Sequence, residues 1–182
     1  MTTIAWVFGY GSLIWDPGFQ PVETIRARLD GYARRFCLRS TMYRGTPESP
    51  GLVLGLDADE GTSCSGVAMR IDAREHDRVI ADLRIRELST QAYHETIVPL
   101  ALEDGRHIRA LAFVMRRDHW QYAGRMGRNE QAEIIARAHG GRGPNADYLF
   151  NTASHLSRIG LADAELEQLS DEVRKLMEAA GN

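Results

Sequence analysis

Two cysteines, a single lysine and the absence of any long apolar run set the first limits on this chain. Cys37 and Cys64 stand far apart and outside any C-x-x-C pattern, which suits a reducing cytosol better than a disulfide framework. Lys175 is the only lysine, so chemistry through a Schiff-base or pyridoxal lysine has one candidate. No stretch approaches the roughly 20 apolar residues of a membrane span. The opening Met1-Thr-Thr-Ile-Ala-Trp-Val-Phe8 lacks the basic region of a signal peptide, and its apolar run breaks at Gly9. Charge of one sign is not in excess either. Lys and Arg total 22 against 25 Asp and Glu, a formal net charge of −3, which argues against a basic face for nucleic acid or for anionic lipid. The expectation is a cytoplasmic protein with no nucleic-acid and no membrane partner.

What is present is ordinary globular material. The 182 residues are 43% hydrophobic, which is enough for one domain, 1–182, to bury a core without disulfides or metal. Ile4 to Tyr10 reads as a buried strand leaving through the glycine-permitted turn Gly9-Tyr10-Gly11-Ser12. Phe36–Ser40, Val53–Leu56 and Gly66–Ile71 read as further strands. Asp72 with Glu75 has the layout of a capping box, and Val79, Ile80 and Leu83 follow at helical spacing. Tyr93–Pro99, the turn Glu103-Asp104-Gly105 and the run Ile108 to Val114 predict a hairpin. From Gly127 onward the pattern is helical: 129–138, then 146–159 capped by Asn145 and stopped at Gly160. A last helix within 163–180 is capped by Asp163, with Leu166, Leu169, Val173, Leu176 and Met177 as its apolar stripe. Lys175 falls off that stripe and reads as a surface residue. Strands early and helices late predict an α+β fold.

The short motifs divide cleanly. Gly9-Tyr10-Gly11 lacks the third glycine of a dinucleotide fingerprint, because Ile14 stands there. Ser12 lacks the flanking glycines of a nucleophile elbow. Two readings of the loop remain: a plain corner packing Tyr10 and Trp15, or a nest of backbone N–H groups for a carboxylate. The six histidines show no metal-ligand spacing. A Cys–His nucleophile through Cys37 or Cys64 has no local signature to support it. Glu87 lies among apolar residues where a helix gives way to a strand; it is either a solvated partner of Arg84 or Arg86, or a buried carboxylate raised toward the basicity a general base needs. Gly140-Gly141-Arg142-Gly143-Pro144-Asn145 reads as an interhelical loop with a cap, or as an anion site. Tyr148 is either core or a hydroxyl aimed into a cleft.

Taken together, Val7-Phe8-Gly9-Tyr10-Gly11-Ser12-Leu13-Ile14-Trp15, Arg44-Gly45-Thr46-Pro47, Arg86-Glu87 with Thr90 and Tyr93, and Pro144-Asn145-x-x-Tyr148-Leu149-Phe150-Asn151 resemble the ChaC-type, glutathione-specific γ-glutamylcyclotransferases. The match lies within 7–160 and keeps the family's order. The resemblance implies a mixed α+β fold with a barrel-like sheet, and cleavage of reduced glutathione to 5-oxoproline and Cys-Gly. It assigns Glu87 as the catalytic residue and Gly9, Tyr10, Gly11, Ser12, Leu13 and Ile14 as the loop that binds the γ-glutamyl group. Tyr148 joins them as a candidate substrate-binding residue, and Arg39, Arg44 and Arg86 are candidates to balance the substrate's carboxylates. No metal or other cofactor is implied. Met42-Tyr43 departs from the family's more usual Asp-His, and the 163–180 helix is given a packing role only. Two alternatives stand beside this reading: a cyclotransferase for another γ-glutamyl amino acid or amine, and a non-enzymatic regulator of cation transport.

Overall fold

A computed structural model describes residues 4–181. Its strands are β1 (Trp6–Gly9), β2 (Glu23–Ser40), β3 (Gly51–Arg70), β4 (Tyr93–Leu102) and β5 (His107–Met115), and they close into a barrel in the order β1-β3-β2-β4-β5. β1 runs antiparallel to β3, with Gly9 opposite Val67, and parallel to β5, with Val7 opposite Leu111. β4 and β5 form the expected hairpin, Tyr93 opposite Met115 through Ala101 opposite His107. The α-helices among the described residues are α1 (His76–Glu87), α2 (Arg128–Arg137), α3 (Asn145–Arg158) and α4 (Ala164–Ala180). The mixed α+β, barrel-like expectation holds.

The chain divides into two compact units, one of residues 1–34 and 56–119, the other of 35–55 and 120–182. In the first, alternate residues of all five strands meet in one cluster. Trp6 and Phe8, Ala27 and Leu29, Leu56 and Ala68, Val98 and Leu100, Ala110 and Ala112 all belong to it. Strand side chains alternate between faces, so these residues fill the barrel. The residues between them are buried too: Val7, Met69, Leu111 and Phe113 are at most 4% exposed, so these strands are covered on both faces. Only a layer outside the sheet permits that.

In the second unit, α4 begins as the sequence predicts. The Asp163 carboxylate accepts from the N–H groups of Glu165 and Leu166, and Leu166, Leu169 and Val173 are buried. The stripe does not continue: Leu176 and Met177 remain about two-fifths exposed, and Lys175 beside them is exposed.

Several local expectations are corrected. Asp72 does not cap a helix; its carboxylate takes the Arg74 backbone N–H and guanidinium, which pull its pKa down to about 2. α1 therefore starts at His76 without a side-chain cap and runs to Glu87. β2 and β3 are far longer than the apolar runs suggest, because Arg26, Arg28 and Asp30 face water between Ile25, Ala27 and Leu29. The segment after α2 is a small hairpin, β6 (His139–Gly140) with β7 (Gly143–Pro144), turned by Gly143 at φ 96°. Asn145 is the first residue of α3, not its cap, and its side chain is used elsewhere.

Candidate active site

The glycine loop leaves β1 under tight constraint. A Cβ on Gly9 would lie 3.0 Å from Met69 Cε and 3.3 Å from Val67 Cγ2. Across the β1–β3 pairing, a Cβ on Gly66 would lie 2.3 Å from the Gly9 carbonyl oxygen. Tyr10, Gly11 and Leu13 are buried and Ser12 and Ile14 half-buried, so the loop is a packed corner. Ser12–Ile14 forms one 3-10 turn, in which the N–H groups of Ile14 and Asp16 bond back to the carbonyls of Gly11 and Ser12 at 2.9 Å. Among the described residues, none accepts a hydrogen bond from the N–H groups of Gly11, Ser12 or Leu13. Such consecutive unsatisfied donors are what an anion-binding nest requires.

Glu87 is the last residue of α1, and its side chain is only 16% exposed. Burial pushes its pKa up, and the Arg86 guanidinium, with Nε 3.1 Å from Glu87 Oε1, partly opposes the rise. Both sequence readings of Glu87 thus meet in one residue: it is buried, and it is paired to Arg86. Arg86 also donates to Ser12 Oγ at 3.2 Å and to the Asp16 carbonyl at 2.6 Å. One guanidinium therefore ties the end of α1 to the glycine loop and brings Glu87 and Ser12 into one site. Arg84 is not Glu87's partner, since it forms a two-pronged pair with Glu95. Tyr93 lines a groove of about 550 Å³ in this unit, together with Tyr32, His94 and Met115.

In the second unit, the Arg-Gly-Thr-Pro and Pro-Asn-x-x-Tyr blocks lock to each other. Asn145 is fully buried and pairs both ways with Leu52 backbone, accepting from its N–H and donating to its carbonyl at 2.7 Å each. Arg44 donates to the carbonyls of Arg142 and Pro144 and lies 5.7 Å from the centre of the Tyr148 ring. The backbone approaches so closely that a Cβ on Gly45 would sit 2.1 Å from the Gly51 nitrogen, and one on Gly140 2.5 Å from the Gly45 nitrogen. Tyr148 is half-buried, edge-on to Phe36, and its hydroxyl oxygen accepts a long 3.4 Å bond from the Leu54 N–H. Arg44 is thus committed to carbonyls, whereas among the described residues none pairs with the Arg39 guanidinium. The departing pair Met42-Tyr43 is exposed; its carbonyls accept from Gly141 and Arg142, and the Arg142 guanidinium stacks on the Tyr43 ring.

Other chemistry finds little support in the geometry. Cys37 and Cys64 are free thiols at 0% and 3% exposure, inside packed surroundings where a nucleophile has no access to substrate. Among the described residues, no three His, Cys, Asp or Glu side chains cluster closely enough to hold a metal ion.

The family described as ChaC-like protein matches residues 5–176. A glutathione-specific γ-glutamylcyclotransferase of Escherichia coli K12 is 38% identical over 94% of this chain and 74% of its own length. One of Schizosaccharomyces pombe is 35% identical, covering 95% of this chain and 94% of its own. The crystal structure of a γ-glutamyl cyclotransferase specific to glutathione from yeast superposes with a TM-score of 0.84 at 25% identity, over 96% of this chain and 97% of that one. The match over 5–176 and the 38% identity with that relative show the family: the chain belongs to the ChaC-like family.

Proposed function

We propose that this protein cleaves reduced glutathione to 5-oxoproline and Cys-Gly, with Glu87 as the proton-transfer group and the 9–14 loop holding the γ-glutamyl end. The observation that carries the reading is the Glu87 carboxylate, mostly buried and raised in pKa, linked through Arg86 to a loop in which, among the described residues, the N–H groups of Gly11, Ser12 and Leu13 have no acceptor. The names of relatives at 35% and 38% identity support glutathione as substrate. The family match runs through both compact units, which supports reading 1–182 as one functional domain.

The reaction begins with the substrate's α-ammonium, which has no lone pair. Glu87 accepts one of its protons, and the freed amine attacks the γ-carbonyl of the same molecule to close a five-membered lactam. The C–N bond to the cysteinyl residue then breaks. Two protons leave the attacking nitrogen and two arrive on the departing one, so a single carboxylate that accepts and returns protons balances the turnover. The attack is intramolecular, and holding one folded conformer supplies much of the acceleration. The N–H groups of Gly11, Ser12 and Leu13 would hold the α-carboxylate or the developing oxyanion, and aimed donors of this kind are among the largest contributors to acyl-transfer catalysis. A reducing cytoplasm suits both the thiol substrate and the two free cysteines.

Incubation of the purified protein with reduced glutathione, γ-glutamyl amino acids and γ-glutamyl amines tests the reading. Release of 5-oxoproline from glutathione well above the other substrates is the expected result. Release only from another substrate would keep the chemistry and change the leaving group. No 5-oxoproline from any of them would overturn the reading.

A further inference from the structure

Arg34 lies outside every motif discussed above, half-buried on β2. Its Nε donates to the Tyr10 carbonyl at 2.6 Å, and a terminal guanidinium nitrogen donates to the Ser65 carbonyl. Both acceptors frame the glycine loop. Tyr10 opens it, and Ser65 precedes Gly66, where an added Cβ would lie 2.3 Å from the Gly9 carbonyl oxygen. A guanidinium suits this position because it is always charged, planar, and able to reach two acceptors with one rigid fork. Bonds of this charge-assisted kind are roughly twice as strong as neutral ones.

The consequence lies in the peptide unit between Tyr10 and Gly11. Among the described residues no peptide bond is cis. In a planar trans unit the C=O and N–H point in opposite directions. By fixing the Tyr10 carbonyl, Arg34 therefore fixes where the Gly11 N–H points, and that is the first of the three donors without an acceptor among the described residues. Glycine gives this peptide more rotational freedom than any other residue would, so an external clamp has something to restrain. Arg86 holds the other end of the loop through Ser12 Oγ and the Asp16 carbonyl.

We propose that Arg34 is a positioning residue for the cyclotransferase reaction: it sets the orientation of the Tyr10–Gly11 peptide so that the Gly11 N–H faces the γ-glutamyl group. The proposal rests on the reading of this loop as the γ-glutamyl holder.

The test is steady-state kinetics of Arg34→Ala and Arg34→Lys with glutathione, with and without guanidinium ion at sub-denaturing concentration, alongside the 1H–15N signal of the Gly11 amide. In Arg34→Ala, kcat/KM falls about 10- to 100-fold, the effect of losing a charge-assisted bond. KM rises as part of that loss, which a smaller folded fraction would not produce. Guanidinium ion restores part of kcat/KM in Arg34→Ala and none in wild type. Arg34→Lys, which keeps the charge but not the fork, falls between and shifts the Gly11 amide signal. KM and kcat of Arg34→Ala within two-fold of wild type, or a loss confined to kcat and not rescued by guanidinium, would overturn the proposal, as would an unmoved Gly11 amide in Arg34→Lys. If wild-type protein itself releases no 5-oxoproline, the cyclotransferase reading fails, and the amide signal still decides whether Arg34 orients the loop.

Discussion

Arg86 Nε lies 3.1 Å from Glu87 Oε1, yet the pKa of Glu87 is raised, because burial outweighs the neighbouring positive charge. A carboxylate so placed is a stronger base than an exposed glutamate and still has a donor to steady it when ionised. The acidic limb of the kcat/KM profile is therefore expected above the ordinary glutamate range. Arg86→Met removes the opposing charge and moves that limb to still higher pH, on top of an overall loss from freeing Ser12 and Asp16. A pH–rate profile for the two proteins checks this; a limb at the same pH in both would show that Arg86 does not set the ionisation of the base.

Asn145 and Leu52 make a second relationship with a measurable consequence. Asn145→Ala leaves both backbone groups of a fully buried Leu52 without partners, at about 1–3 kcal/mol each. Thermal unfolding should move down by roughly 4–24 °C for a chain of this size. Asn145→Asp keeps the acceptor but loses the donor, so it should also melt below wild type. An unchanged melting temperature in Asn145→Ala would mean that another group satisfies Leu52.

Gly66→Ala acts on the loop through the sheet. Its Cβ would meet the Gly9 carbonyl oxygen at 2.3 Å and the Phe8 ring at 2.8 Å, and backbone cannot yield as a flexible side chain does. The expected result is a stability loss of about 1–3 kcal/mol, as for other overpacked sites, with a lower kcat/KM in the protein that remains folded. Denaturant unfolding and kinetics on the same preparation separate the two effects.

Tyr148→Phe keeps the edge-on contact with Phe36 and the ring under Arg44, and removes a hydroxyl whose bond from the Leu54 N–H is long. Stability should change by less than about 1 kcal/mol. A several-fold fall in kcat/KM with unchanged melting temperature is the expected outcome for a substrate-facing hydroxyl. Unchanged kinetics would place Tyr148 among the packing residues.

Much of this was readable beforehand, and the exceptions share a cause. The β4–β5 hairpin and the Asp163 cap follow from local signals: period-two alternation around Glu103-Asp104-Gly105, and a carboxylate placed before an apolar stripe. What local reading misread was side chains whose partners lie far away in sequence or are stronger than the helix end. Asn145 satisfies Leu52, 93 residues away, instead of capping α3, and Asp72 takes the Arg74 guanidinium instead of capping α1. The full length of β2 was present as alternation but masked by arginines on the outer face. At the site, Glu87 and the glycine loop stood out through the family resemblance. Arg34 carries no sequence signal at all, because its role depends on a carbonyl 24 residues away.

The central claim is tested most directly by Glu87→Gln, which keeps the shape of the side chain and cannot accept the proton. Because the folded-state pKa of Glu87 is raised, its contribution to stability is present below the ordinary glutamate pKa and is lost as pH rises through the folded value. The glutamine variant should therefore melt at or above wild type near neutral pH, so that inactivity cannot be assigned to unfolding. The measurement is 5-oxoproline released from reduced glutathione by folded Glu87→Gln protein near neutral pH. The account predicts a fall of at least about 10²- to 10⁴-fold, the usual worth of a positioned proton-transfer group. Release near the wild-type rate would contradict it.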